Sequence, residues 1–156
     1  LSHALEIGAE AIAMACVPAD QAPMPCSIDI RLLSGPELLT GSTRLKAGTA
    51  TKMALNILST GVMVRLGKVF GNRMVDVSVS NAKLEDRALR ILGDLAGIGR
   101  DEGASLLAAS SGSVKLALLM AASALPVEAA RKQLMQSGGN LRLALESSGA
   151  QLKGPQ

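Results

Sequence analysis

The sequence predicts a helix-rich α/β fold in which a short strand-containing segment precedes a run of helices. Residues 11–17 are continuously apolar and end at Pro18, which is typical of a buried strand. Residues 27–33 alternate apolar and polar side chains, which is the period of a strand. Ala and Leu are abundant and aromatic residues nearly absent, which favours packed helices for the remainder.

The first elements have the order of the end of an α/β sheet. Residues 2–8 have a helical pattern that Gly8 can end, and three prolines between residues 18 and 26 predict a loop between the strands. Helix, strand, connection and strand are typical of such a sheet. Because the chain begins with Leu1, inside a helical pattern, we expect it to be a portion of a longer protein.

A long helix is predicted over about residues 44–70, after a break at Gly35-Pro36. Apolar residues occupy almost all of its sides, so we expect it to be buried inside a domain or at an interface between subunits. Gly71 can end it.

Polar residues form a stripe at helical spacing along this helix. They are Lys52, Asn56 and Ser59 or Thr60. The stripe could line a cleft or meet a partner subunit. It could equally be the one hydrated face of a core helix.

Shorter helices are predicted from their caps. Their ranges are 82–96 (cap Asn81, end Gly97), 102–110 (cap Asp101), 114–124 (cap Ser113), 126–136 (opened by Pro126) and 141–147 (cap Asn140). The sequence of residues 112–118 resembles that of residues 139–145, which indicates a helix-turn-helix unit used twice. This part resembles the compact three-helix ubiquitin-associated type in architecture only.

Composition and charge exclude several classes of function. Net charge is +3, from 16 basic and 13 acidic residues without a long run of one sign. We predict no nucleic-acid partner, because there is no Trp or Tyr and only one Phe to stack on bases. No apolar stretch reaches the roughly 18 residues that span a membrane, so we predict no membrane association.

Few side chains are suited to metals or redox chemistry. The thiols are Cys16 and Cys26, without a CxxC spacing, and His3 is the one histidine, so we predict no metal site and no cofactor. Cys16 lies in an apolar run, where a reduced, buried thiol is usual. We therefore expect a cytoplasmic protein.

The densest polar cluster precedes the long helix. Hydroxyls, glycines and cations gather there, and a helix start suits an anion because its backbone N–H groups are free. The candidate ligand-binding residues are Glu37, Ser42, Thr43, Arg44 and Lys46. The alternatives are an ordinary N-cap with a glycine turn and, for the glutamate, support of the helix dipole.

The stretch Gly35-Pro-Glu-Leu-Leu-Thr-Gly-Ser-Thr-Arg-Leu-Lys-Ala-Gly-Thr-Ala-Thr-Lys52 resembles the signature of the N-acetylmuramic acid 6-phosphate etherase family. The resemblance continues through residues 55–60, 65–72 and 74–77 and covers about residues 3–148. It implies the C-terminal end of a doubly wound sugar isomerase (SIS) sandwich over residues 1–96. A small helical module would follow over 97–150, and a tail over 151–156.

The resemblance also implies an activity. The family cleaves the D-lactyl ether of N-acetylmuramic acid 6-phosphate by elimination and hydration, giving N-acetylglucosamine 6-phosphate and D-lactate in peptidoglycan recycling, without a metal. The family's catalytic glutamates lie upstream of the position matching Leu1, so no catalytic residue is assigned and the chain alone is expected to be inactive. A homodimer and a sugar 6-phosphate ligand are implied, with residues 40–44 at the substrate.

Two alternatives stay open at this point. A regulatory protein of glucokinase resembles the same signature, which implies a non-catalytic binder of sugar phosphates. Residues 97–148 could also form a lid or a protein-interaction module.

Overall fold

The computed structural model describes residues 1–153; the last part of the predicted tail, 154–156, lies outside the described residues. Helices predominate and two small sheets accompany them, which confirms a helix-rich α/β class in general terms. Two compact units are formed, Leu1–Gly61 and Val62–Gln156. The elements are α1 Ser2–Glu6, β1 Ile12–Ala15, β2 Ile28–Arg31, α2 Lys46–Arg65, β3 Val69–Phe70, β4 Arg73–Met74, α3 Ala82–Ala96, α4 Arg100–Ala109, α5 Val114–Ser123, α6 Val127–Gln136 and α7 Leu141–Ser148.

The first unit contains a parallel pair of strands. β1 and β2 lie in register with Ile12 opposite Ile28 and Ala15 opposite Arg31, so both predicted strands are confirmed, although they are shorter than predicted. Ala13 is buried, whereas both isoleucines are more than half exposed. Parallel sheets normally have both faces covered, and one face of this pair lacks such cover within the described residues.

Arg31 fixes the loop that connects the two strands. Its Nε and Nη2 donate to the Asp29 carboxylate at 2.6 and 2.8 Å. The same guanidinium donates to the carbonyls of Val17 at 3.1 Å and Ala22 at 2.9 Å. The predicted loop is thus held against the end of β2 by charge-assisted hydrogen bonds, which are stronger than neutral ones.

The long helix is shorter than predicted, because it ends at Arg65 rather than near residue 70. Gly67 has φ +65, and the N–H of Lys68 donates to the carbonyl of Met63 at 3.0 Å. A left-handed glycine with this backbone bond is a helix-ending motif, so Gly67, not Gly71, ends the helix. The strands β3 and β4 that follow form an antiparallel hairpin, which was not predicted.

The second unit is built around α3 and α5. The bounds of α3 are those predicted. At its start, Asn81 Oδ1 accepts the N–H of Leu84 at 2.9 Å, and at its end Gly97 has φ +71. α3 packs against α4 and α5, and α5 packs against α6 and α7. Their apolar side chains form one core: Val75, Ala88, Ile91, Leu92, Leu95, Leu107, Val114, Leu116, Ala117, Leu118, Leu119, Ala130, Leu141, Ala144 and Leu145. The assignment of residues 1–96 and 97–150 to two named domains stays a prediction.

The other caps follow the prediction with one exception. The side chains of Ser113 and Asn140 accept N–H groups of α5 and α7, as predicted, and Pro126 precedes α6. Asp101 is not a cap, since α4 begins at Arg100 after Gly99. Its carboxylate lies instead in the first turn, where negative charge also suits the helix dipole.

The predicted internal repeat is confirmed as a structural one. α4, a turn and α5 form the first copy; α6, a turn and α7 form the second. In each turn two successive residues have positive φ: Ser111 and Gly112 (55° and 78°), then Gly138 and Gly139 (60° and 74°). The second of each pair donates its N–H to the carbonyl five residues back, at 2.8 and 2.9 Å.

A three-residue ion network joins the segment before α3 to the helices. Asp76 contacts Lys68 Nζ at 3.0 Å and Lys115 Nζ at 3.1 Å, and Lys115 also donates to the carbonyl of Gly139 at 2.9 Å. Partial burial raises the pKa of Asp76, but the hydrogen bonds from both lysines outweigh it and leave the pKa lowered. The largely buried Lys115 ammonium is therefore paired and hydrogen-bonded, as burial requires.

We expect Ser111→Gly to stabilise the protein. A side chain in the left-handed region costs roughly 1 kcal/mol, and the equivalent residue of the second copy is already glycine. Because glycine also gains entropy in the unfolded chain, the expected net gain is about 0.5 kcal/mol in the free energy of unfolding, measured by urea denaturation. The matched reverse change, Gly138→Ser, should lose a similar amount, about 0.5 kcal/mol. A loss of stability in Ser111→Gly would contradict this account of the turn.

Candidate substrate-binding site

The start of α2 is capped by a glutamate from nine residues upstream. Glu37 Oε2 accepts the N–H of Lys46 at 2.8 Å, and Oε1 accepts the N–H of Ala47 at 3.0 Å. These amides would otherwise lack a partner at the helix end. These contacts agree with the predicted alternative, in which the carboxylate of Glu37 supports the helix.

The same hydrogen bonds set the charge of the glutamate. The backbone N–H of Lys46, then that of Ala47, lower the pKa of Glu37, against a smaller opposing effect of desolvation. Hydrogen bonds to the ionised form favour it. The carboxylate is therefore a fixed negative charge at the positive end of α2.

The loop between Glu37 and α2 is held by short-range backbone hydrogen bonds. The N–H of Ser42 donates to Leu39 O at 2.9 Å, and the Thr43 carbonyl accepts the N–H of Gly48 at 2.8 Å. A Cβ at Gly48 would lie 3.2 Å from that carbonyl. Glycine at this position therefore lets the loop approach the first turn of the helix closely.

The five predicted site residues fall into two groups. Glu37 and Lys46 are brought together, and Lys46 Nζ also donates to the carbonyl of Pro36 at 3.0 Å. Thr43 and Arg44 are exposed on the loop, with the half-buried Ser42 beside them. Arg44 forms no ion pair within residues 1–153, so its guanidinium is available to an anion. A substrate-binding role for all five stays a prediction.

The polar stripe of α2 lies on an exposed helix. Lys52, Asn56, Ser59 and Thr60 are all exposed. None of the residues of α2 is buried in this chain, so the predicted burial inside a domain does not occur here, and burial at an interface between subunits stays a prediction. Within this chain, the polar stripe is therefore not the hydrated face of a core helix.

Cys16 positions the helix start, a role that was not predicted. Both cysteines are free thiols. Cys16 Sγ lies 3.4 Å from Thr51 Oγ1 and 3.6 Å from the carbonyl of Ala47. The contact joins the end of β1 to the first turns of α2, which lie more than thirty residues apart in the sequence. No local sequence pattern predicts it.

A second cluster of cations lies in the other unit and was also not predicted. It lines a cavity of about 600 Å³ formed with the start of α3. Its cations are Arg73, Lys83, Arg87 and Arg90. The carboxylate among them, Asp86, is already paired with arginines. The spacing of Lys83 and Arg87 along a helix could have signalled this cluster.

The described part of the chain lacks both a metal-binding cluster and a membrane-spanning helix. No group of three or more His, Cys, Asp or Glu side chains there is suited to a metal ion. None of its helices combines the length and apolar character that crossing a bilayer requires.

Curated proteins similar to this chain share one name. The N-acetylmuramic acid 6-phosphate etherase of Parasynechococcus marenigrum (strain WH8102) is 72% identical over 152 residues, covering 97% of this chain and 48% of the relative. The etherase of Prochlorococcus marinus (strain MIT 9303) is 70% identical over 96% of the chain. That of Synechocystis sp. (strain ATCC 27184 / PCC 6803 / Kazusa) is 63% identical over 90%. The chain belongs to the N-acetylmuramic acid 6-phosphate etherase family.

These relatives confirm the family resemblance of the sequence. They match only part of their own length to this chain, which limits what they imply about its function. The chain spans about half the length of the curated relatives it matches. No protein-family model matches it. The regulatory alternative gains no support from these relatives, which are named as etherases.

We expect Glu37→Gln to destabilise the first unit at neutral pH, since the amide can accept only one of the two N–H groups. Because the pKa of Glu37 is lowered in the folded state, its stabilisation is complete above the ordinary value of 4.5. It is lost as the pH falls through the folded pKa. Urea denaturation should therefore show a difference between wild type and variant that shrinks from pH 7 to pH 3.

The matched control is Glu10→Gln, a change at an exposed glutamate of the same unit. It should leave stability nearly unchanged across this range. A difference between wild type and Glu37→Gln that is independent of pH would contradict the capping role.

Proposed function

We propose that this chain provides one wall of the substrate site of an N-acetylmuramic acid 6-phosphate etherase. The whole protein would cleave the D-lactyl ether, giving N-acetylglucosamine 6-phosphate and D-lactate by elimination followed by addition of water. The observation that carries the proposal is 61–72% identity to proteins of that name over 90–97% of the chain.

The loop before α2 is the proposed place of sugar-phosphate contact. Arg44 and Thr43 are exposed there and offer a guanidinium and a hydroxyl, groups that bind phosphate oxygens. Ser42 lies beside them, and Lys46 retains N–H donors beyond its bond to the Pro36 carbonyl. Because the carboxylate of Glu37 accepts the first N–H groups of α2, we propose that it shapes the site and contacts the sugar hydroxyls. We do not propose that it contacts the phosphate.

The groups that remove and deliver protons are proposed to lie outside this chain. Within residues 1–153, the only carboxylate at the loop, Glu37, is engaged by two backbone amides at 2.8 and 3.0 Å. A carboxylate held ionised in this way is a poor proton donor. We therefore propose no catalytic residue here, and expect the chain alone to be inactive.

The architecture and location of the whole protein are proposals on the same basis. The parallel pair β1–β2, with an uncovered face, supports placing residues 1–96 at the end of a sugar isomerase sandwich. The repeated helices support a helical module over 97–150, whose core also includes side chains of α3. The free thiols Cys16 and Cys26 suit a reducing compartment, so we place the protein in the cytoplasm.

The test of function uses a chimaera that joins this chain to the part of the Parasynechococcus marenigrum relative that it does not span. With N-acetylmuramic acid 6-phosphate, the chimaera should release D-lactate and the chain alone should not. Arg44→Ala in the chimaera should raise KM roughly ten- to hundredfold, the value of a charged hydrogen bond. The matched control is Arg65→Ala, an exposed arginine at the other end of α2, which should leave KM unchanged.

Three outcomes would contradict parts of this proposal. Lactate release by the chain alone would place catalytic groups within it. An unchanged KM for Arg44→Ala would remove the substrate contact. A chimaera that binds the sugar phosphate without releasing lactate would favour a regulatory protein.

We also propose that α2 lies at the interface of a homodimer. Large apolar side chains of this helix are exposed in the chain: Met53, Leu55, Ile57, Leu58, Val62 and Val64. Exposed apolar surface of this extent marks an interaction site. Met53, Ile57 and Val64 follow one another at helical spacing on one side of the helix.

Sedimentation of the chain should therefore show a dimer that Ile57→Glu dissociates. Ile57 is 70% exposed, so the substitution should not unfold the protein, but a buried, unpartnered carboxylate would weaken an interface. Asn56→Glu adds the same charge to the adjacent side of α2 and is the matched control. A monomeric wild-type chain, or equal effects of the two variants, would contradict this interface.

A further inference from the structure

Two cations of α3 lie where they destabilise the helix. Lys83 is exposed in the first turn of α3, where the positive end of the helix dipole disfavours a cation. Arg87 is exposed one turn further on, and like charges four residues apart on a helix repel each other. Glu85 does not offset this repulsion, because residues two positions apart on a helix do not face each other. Helix stability alone therefore does not account for these two side chains.

No carboxylate compensates the two cations within residues 1–153. The helical neighbours of Arg87, three and four positions away on either side, include no acidic residue: they are Lys83, Leu84, Arg90 and Ile91. Asp86, three residues after Lys83, is paired with Arg90 and Arg100 instead. The hydrogen bond from Arg100 and the attraction of both arginines lower the pKa of Asp86, against a smaller opposing effect of desolvation. Its charge is therefore already used.

Two further cations face the same cavity and are held in place. Arg73 and Arg90 are among its lining residues. The guanidinium of Arg73 lies 2.7 Å from Asp94 Oδ2, which joins β4 to α3, and Arg90 is held by Asp86. Each guanidinium has five N–H donors in a fixed fork, so it keeps free donors while its carboxylate partner orients it. The cavity thus combines two oriented forks with two uncompensated cations.

The cavity concentrates the positive charge of the chain. Its lining holds four cations and one carboxylate, an excess of three positive charges, which equals the net charge of the whole sequence. Its volume of about 600 Å³ lies in the range of small-molecule sites. The half-buried Leu84 adds apolar surface. A concave surface lined by one sign of charge attracts ligands of the opposite sign.

We propose that this cavity binds a small phosphorylated molecule. Lys83 and Arg87 bind the phosphate group, with Arg73 and Arg90 as further donors. A phosphate monoester carries close to two negative charges on one group at pH 7, so a single group can offset both cations, and its oxygens suit arginine forks. The carboxylates of an acidic peptide carry one charge each and match two cations one helical turn apart less well.

The remainder of the ligand is an organic group that contacts Leu84. The cavity lies within the second unit, and its ligand does not depend on the proposed function.

Binding is measured by titration of the ¹⁵N-labelled chain at constant ionic strength, with inorganic phosphate and with N-acetylglucosamine 6-phosphate. Both should shift the amide resonances of residues 82–91 saturably, with a Kd on the order of 1 mM, as two or three charged hydrogen bonds at an exposed site imply. The ester should bind more tightly, because it also contacts Leu84. N-acetylglucosamine without phosphate should leave these resonances unchanged. Shifts of residues 40–46 in the same spectra test the substrate contact of the first unit separately.

Arg87→Gln should weaken phosphate binding at least about tenfold, the value of a charged hydrogen bond. Arg87→Lys keeps the charge but loses the fork, so it should weaken binding by a smaller factor. The matched control is Lys132→Gln, which removes an exposed cation of α6 outside the cavity and should have no effect.

Lys83→Glu distinguishes a binding role from a structural one. It places a carboxylate in the first turn of α3 and opposite Arg87, so the ligand-free variant should be more stable than wild type. Its unfolding equilibrium constant in urea should be roughly two- to fivefold lower, while phosphate binding is lost. Loss of binding in a variant of higher stability cannot result from unfolding.

Four results would contradict this site. The first is the absence of shifts at residues 82–91 in millimolar phosphate. The second is an equal shift with sodium chloride of the same ionic strength, which would indicate diffuse screening alone. The third is an equal effect of Arg87→Gln and Lys132→Gln. The fourth is tighter binding of a hexaglutamate peptide than of the sugar phosphate, which would identify an acidic protein as the occupant.

Discussion

The carboxylate of Glu37 at the start of α2 is the constraint on which the first unit depends. Two backbone hydrogen bonds fix it there, and they close the loop that displays Thr43 and Arg44. Lys46 is held from the same side by the Pro36 carbonyl, and Cys16 holds the next turn against β1. Without this cap, the loop would lose its anchor and the helix its N-terminal partner.

The cap also changes how an anion can be bound at this helix. Free amides at a helix start are the usual donors to a phosphate, but here an internal carboxylate already uses the amides of Lys46 and Ala47. At the proposed site, a phosphate would therefore be bound by side chains, above all by the guanidinium of Arg44. Specificity would then rest on an exposed, charged group whose attraction for the phosphate falls with salt, and less on backbone geometry.

Sequence-based prediction succeeded where the signals were local. Asn81 and Gly97 bound α3 as predicted, because a side-chain cap and a left-handed glycine act within one turn. It was wrong about the end of α2, where Gly67 and Gly71 are both plausible ends and only the backbone bond from Lys68 to Met63 distinguishes them. The contact of Cys16 with Thr51 could not be predicted, since tertiary packing alone brings these residues together. For the candidate site, the loop could be found from its composition, but the partners of Glu37 could not.

The 27-residue period from Arg100 to Val127 also has a consequence for how this part of the chain can change in length. Each copy adds two helices joined by one turn of fixed geometry, and the helices of the second copy pack on α5 of the first, as in repeat proteins whose units contact mainly their neighbours. Insertion or deletion of a whole copy would preserve this packing. Insertion or deletion of part of a copy would instead rotate the apolar side of the following helix out of the core. Natural length variation in this part of the chain should therefore occur in whole copies of the repeat.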